Sequence, residues 1–130
     1  MSASAAIQRY KSVQVTTSSP GEILVMLYDG LFRFLEEARE AMIANDRARV
    51  GDRINRAHAI VNELAATLNK DVAPELCENL EALYFFASGK LVEANLYQDP
   101  ERIQQVIRVL GPLRDGFTTV VRQQQTGGAR

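Results

Sequence analysis

Apolar residues recur at steps of three and four along four separate stretches, and each stretch opens on residues that favour a helix start. Ser19-Pro20-Gly21-Glu22 places a serine N-cap before a proline at the first helical position and a glutamate at the third. From Leu24 the residues Tyr28, Leu31, Leu35, Ala38 and Met42 then form one stripe, which ends at Asn45-Asp46. Asp46 caps a second run to about Asn69, with Val50, Ile54, Ala57, Val61, Leu64 and Leu68 on its buried side. Asp71 to Pro74 reads as a turn and a new start, followed by Leu76, Leu80, Leu83, Ala87, Leu91 and Ala94 with Tyr84 alongside. Asp99-Pro100 opens the last run, Ile103, Val106, Ile107, Leu110, Leu113, Phe117 and Val121. Four helices of roughly twenty residues with short connections predict an all-α chain, an antiparallel four-helix bundle.

The chain's 130 residues are enough for one domain with a proper core. The expected bundle spans 19–122, with a mobile N-terminal segment, 1–18, expected before it and a flexible, disordered tail, 123–130, expected after it, because QQQTGGAR has little apolar area to bury. Fifteen basic against sixteen acidic side chains give a net charge of −1, which argues against nucleic acid as a partner. No apolar run is long enough for membrane insertion, and the first residues lack the pattern of a secretory leader. The expected location is cytoplasmic, in keeping with a single cysteine, Cys77.

Two features strain the helical reading. Gly111-Pro112 interrupts the fourth run, because proline has no N–H for the carbonyl of Arg108, and a kink or restart is expected there. Gly30 and Gly89 lie inside helices, where tight packing against another helix is the expected compensation and close docking of a peptide the alternative.

The residue types of catalysis do not assemble. His58 is the only histidine and has no triad partners, and Cys77 has neither a second cysteine nor a histidine at zinc-site spacing. Glu75, Glu78 and Glu81 suit a helix start and a solvated face; a di-metal bundle would need Glu-x-x-His pairs. Gly89-Lys90 lacks the rest of a phosphate loop, and Arg49, Arg53 and Arg56 are diluted by Asp46 and Asp52. The expectation is no enzyme, no metal and no cofactor.

What stands out instead is a surplus of apolar residues. Between Ile23 and Leu35 ten of thirteen residues are apolar, and Ile23, Val25, Met26, Phe32 and Phe34 fall outside the core stripe. A four-helix bundle has no central helix, so this second face needs a cover: the N-terminal segment with Ile7, Tyr10, Val13 and Val15, a second subunit, or a client polypeptide.

The residues Gln8 to Lys11, Gln14-Val15-Thr16-Thr17 with Ser19-Pro20, and Leu27-Tyr28-Asp29-Gly30 with Phe34 form the first part of a longer series. It continues with Ala82-Leu83-Tyr84, Leu91, Glu93-Ala94-Asn95-Leu96 and Leu113-Arg114-Asp115. Taken together, over residues 7–118, the series resembles the flagellar secretion chaperone family FliS. Members usually continue a helix where Gly111-Pro112 stands here. The resemblance implies a cytoplasmic type III export chaperone that binds the disordered C-terminal segment of flagellin and prevents its premature polymerisation. It further implies delivery to a flagellar export gate component, with Tyr10 and its apolar neighbour Ile7 in a displaceable segment that docks there. An anti-sigma factor or co-chaperone is a further partner to consider.

The surplus face and the motif series together place the flagellin-binding groove at Leu24, Leu27, Tyr28, Leu31, Tyr84, Leu91, Asn95 and Leu96. The alternative is a structural or signalling homodimer that uses the same apolar face.

Overall fold

The computed structural model describes residues 19–128, with side chains described to Gln125. Within that span the chain forms α1 (Pro20–Ile43), α2 (Arg47–Ala66), α3 (Pro74–Tyr97) and α4 (Pro100–Gly128). Each helix packs on its neighbours in sequence, and α4 returns to α1, which closes the expected four-helix bundle.

The start signals act as their chemistry dictates. Ser19 is extended, and its Oγ accepts from the Glu22 amide at 3.1 Å. Asp46 Oδ1 accepts from the Arg49 amide at 3.3 Å, and Asp99 Oδ1 from that of Glu101 at 3.1 Å. The stop after α1 has an equally specific cause. Asn45 has a positive φ, in the left-handed region that asparagine tolerates. Its own amide reaches Met42 O, and that of Asp46 reaches Ala41 O. This satisfies two terminal carbonyls and turns the chain directly into the α2 cap. Gln98 makes the corresponding left-handed exit from α3.

The core is the set of four stripes. Tyr28, Leu31 and Leu35 from α1, Val50, Val61 and Leu64 from α2, Leu91 from α3, and Ile103, Val106 and Leu110 from α4 are fully buried. On α3 the inward register begins at Cys77; Leu76, expected on that stripe, is exposed because it sits about 100° away around the first turn. Tyr84 occupies the core position that its neighbour Leu83 only borders.

At Gly111-Pro112 the expected kink or restart meets a different outcome. The helix neither stops nor restarts: α4 is one element across Pro112. The proline is exposed, so water can serve the carbonyl it leaves free. Leu110 on one side and Leu113 and Phe117 on the other hold both segments to the core. Helical backbone continues beyond the bundle as far as Gly128, since a run of glutamines propagates a helix already begun. Gln125 Nε2 donates to Glu22 Oε1 at 2.8 Å and ties this last stretch to the start of α1.

Candidate functional site

The eight residues expected to line a groove separate into three groups. Tyr28, Leu31, Tyr84 and Leu91 are buried in the core, Leu24 and Leu27 are half-buried or border it, and only Asn95 and Leu96 stand fully in the open. The first four cannot line an open groove, because the stripe that faces a neighbouring helix in a bundle is by construction the one that water and partners do not reach. They shape the surface from beneath. Ile7 and Tyr10 lie outside the described residues.

Two of the buried residues form the polar pin of the core. The hydroxyls of Tyr28 on α1 and Tyr84 on α3 share a hydrogen bond of 2.5 Å, and the Tyr28 ring meets Phe117 at 5.6 Å. Burial, then the bond to Tyr84, pushes the Tyr28 phenol well above its ordinary range, and burial also raises Tyr84. Both remain neutral, each able to donate or accept, so the pair fixes the register of α1 against α3.

The surplus on α1 is largely covered by the chain itself. Phe32 is buried, and the Arg114 guanidinium lies 4.9 Å from its ring centre. Phe34 takes two cations, Arg33 at 5.0 Å and Arg56 at 5.9 Å. Val25 and Met26 border an open cleft of about 340 Å³ against Thr118, Val121 and Arg122 of α4. Beside it, Asp29, Arg114, Asp115, Thr118 and Thr119 border a polar hollow of about 410 Å³.

The open apolar face is on α3. Phe85, Val92 and Leu96 are 82%, 57% and 70% exposed, and with the exposed Ala82 and Gly89 they form a series spaced 3, 4, 3 and 4 residues. This row lies opposite the inward series of Cys77, Leu80, Tyr84, Ala87, Leu91 and Ala94. A helix apolar on two opposed faces is built to contact something on both. Gly89 sits in the middle of the outer row, and a Cβ placed there would meet nothing within 4 Å. Packing among the described residues therefore does not account for this glycine, where tight packing against another helix was the expectation. At Gly30 a Cβ would lie 3.5 Å from Ile60 Cδ1, an ordinary contact.

The remaining candidates resolve into structural roles. Arg49 and Arg53 reach Glu37 of α1 at 3.7 and 3.6 Å, and Arg53 and Arg56 pair with Asp52. The bond from Arg56, with that from Arg53, holds the Asp52 carboxyl below its usual range. Glu81 pairs with Lys70 at 2.8 Å, Cys77 is a buried free thiol and His58 is half-buried on α2. Lys90 pairs with Glu93 at 3.3 Å and stands over the Phe86 ring. Among the described residues no group of three or more His, Cys, Asp or Glu side chains is placed to hold a metal, and no helix is long and apolar enough to cross a membrane.

Comparison with known proteins agrees with this fold. The family described as flagellar protein FliS matches residues 2–124. The flagellar secretion chaperone FliS of Bacillus subtilis is 29% identical over 116 residues, covering 89% of this chain and 86% of that protein. FliS of Campylobacter jejuni is 31% identical over 115 residues (88% and 90%), and FliSB of Pseudomonas aeruginosa 30% over 121 (90% and 96%). A crystal structure of a bacterial flagellar chaperone shares the fold with a TM-score of 0.75 at 22% identity, covering 92% of this chain and 97% of that one.

Proposed function

The chain belongs to the FliS family of flagellar secretion chaperones, and we propose that it binds the disordered C-terminal segment of flagellin, keeps it from polymerising and helps deliver it to the flagellar export gate. It works in the cytoplasm and catalyses no reaction. The observation that carries the binding step is the outer row of α3, an apolar strip about 21 Å long at about 1.5 Å per residue. A strip of this length matches the apolar side of a short amphipathic client helix, which docks through residues at three and four residue steps. Burying a residue such as Phe85 or Leu96 contributes about 1.5–3 kcal/mol, part of which the client spends on its own ordering.

Leu24 and Leu27 of the expected groove lie on α1, which packs on α2 and α4, and with Met26 and the cleft toward Val121 they form a second, separate stretch of the client contact. Ile7 and Tyr10 are assigned to the displaceable, gate-docking segment on the strength of the family resemblance. Titration with the C-terminal segment of flagellin from the same organism tests the reading. The expected result is saturable binding with a gain in helix and a negative heat-capacity change. Absence of binding to folded protein, with and without residues 1–18, contradicts it.

A further inference from the structure

One row of α1 is covered by one part of α4. Gly21, Val25, Tyr28 and Phe32 are spaced 4, 3 and 4 residues and share a helix face. The distal part of α4 runs antiparallel along it, with the Arg114 guanidinium over the Phe32 ring and Phe117 against Tyr28. Val121 lies over Gly21, where an added Cβ would come within 3.0 Å of Val121 Cγ2. Gln125 extends the series to Glu22. The cover is incomplete at Val25, which borders the open cleft against Thr118 and Val121.

This part of α4 is held less firmly than the part before it. Ile103, Val106 and Leu110 are fully buried, whereas among the described residues none of α4 beyond Leu110 is buried. The division falls at Gly111-Pro112, where the proline removes the hydrogen bond to the carbonyl of Arg108. Gly111 and Gly116 weaken the helix further. A Cβ at either would meet nothing within 4 Å, so packing among the described residues does not require a glycine at these positions, yet each costs helix stability relative to alanine. A helix whose backbone is weakest where its buried contacts end opens there first.

From this division we infer that α4 beyond Pro112 is a hinged cover, which swings off α1 as a unit and yields its place to a client helix. Opening leaves the rest of the bundle standing, because the Tyr28–Tyr84 hydrogen bond and the buried residues of α4 lie outside the moving part. It joins Tyr28 and Phe32 to Val25 and Met26 in one apolar face on α1. The helix that fits this face repeats the pattern of the cover itself, a cation followed by apolar residues three and seven positions later, as in Arg114, Phe117 and Val121. The occupant rests on the client reading above, whereas the hinge is measured on the chain alone.

Native-state hydrogen exchange of the full chain tests the hinge. The amides of residues 116–122 are expected to exchange through one shared opening and to be at least about a hundredfold less protected than those of 104–110. Pro112→Ala restores the missing bond and should raise protection over 116–122 at least about tenfold, a response that simple fraying from the helix end would not give. A locked cover tests the occupant. Gly21→Cys with Val121→Cys, in a Cys77→Ala background, suits the roughly 3.5–4.5 Å Cβ separation of a disulfide, since Val121 Cγ2 is one bond from its Cβ. The oxidised form should bind the flagellin C-terminal segment at least about tenfold more weakly than the same protein reduced. Equal protection in the two parts of α4, unchanged protection in Pro112→Ala, or equal affinity of the oxidised and reduced forms would each overturn the inference. A reduced form that binds no segment overturns the client reading and with it the occupant, while the hinge stands or falls on exchange alone.

Discussion

α1 and α3 are both 24-residue helices with more apolar residues than one core stripe can use, yet they dispose of the excess in opposite ways. On α1 the second face is largely covered by the chain's own cations and by α4, with Phe32 beneath Arg114, Phe34 against two guanidiniums and Val25 half-buried, while Met26 stays exposed at the cleft. On α3 Phe85, Val92 and Leu96 remain open to water. The difference lies in the neighbours. Arg56 and Arg114 project from α2 and α4 toward aromatic rings of α1, whereas near α3 Lys90 and Arg102 go to Phe86 and Tyr97, beside the row, and Lys70 goes to Glu81. An apolar surplus marks a contact surface only where nothing in the chain is placed to cover it.

Truncating the two faces of α3 in turn should give the sharpest contrast. Leu91 is fully buried on the inner face and Leu96 exposed on the outer one. Leu91→Ala should cost about 2–5 kcal/mol in denaturant unfolding. Leu96→Ala should leave the unfolding free energy almost where it is, as surface substitutions usually do. Equal losses would mean that the outer row is packed. Tyr28→Phe should follow at about 1–3 kcal/mol, since it leaves the buried Tyr84 hydroxyl without its partner. The double variant with Tyr84→Phe should cost less than the sum of the two single changes, which a double-mutant cycle measures.

Next in size is the covered aromatic on α1, which packs partly buried against the core beneath its two cations. Phe34→Ala should lower stability measurably in the same unfolding experiment, by less than Leu91→Ala, through lost burial and lost cation contacts. Phe85→Ala on α3 should be close to neutral for the isolated chain. The smallest effect concerns Glu93, whose carboxyl Lys90 and Arg102 hold below its ordinary value. A carboxylate depressed in the folded state adds stability above its unfolded pKa and loses it as pH falls through the folded one. Glu93→Gln should therefore flatten the acid side of the stability profile slightly, without altering its shape above about pH 5.

The helix starts are legible in the sequence because each rests on a local hydrogen bond that a few residues determine: Ser19 to Glu22, Asp46 to Arg49, Asp99 to Glu101. The core stripes follow from periodicity, with Leu76 and Cys77 exchanged because one residue of register is invisible at the end of a run. Pro112 reads as a break, since local geometry favours one and only the contacts of Leu110, Leu113 and Phe117 outweigh it.

The groove is less legible for a physical reason. Tyr28, Leu31, Tyr84 and Leu91 carry the same spacing whether they face a neighbouring helix or a partner, and the bundle takes them first. A usable signal does exist, the second 3, 4, 3, 4 series from Ala82 to Leu96. It is diluted by two small residues and lies beside the stronger inward stripe.

In the proposed binding mode the outer row of α3 holds the client while the buried residues only support it. Affinity for the flagellin C-terminal segment, measured by calorimetry for the parent and for the Phe85→Asp/Leu96→Asp double variant, tests it most directly, with circular dichroism confirming that the variant is folded. The expected result is a loss of at least about a hundredfold with the bundle intact. Unchanged affinity in a folded variant would contradict it and move the client to the α1 and α4 cleft beside Met26 and Val121.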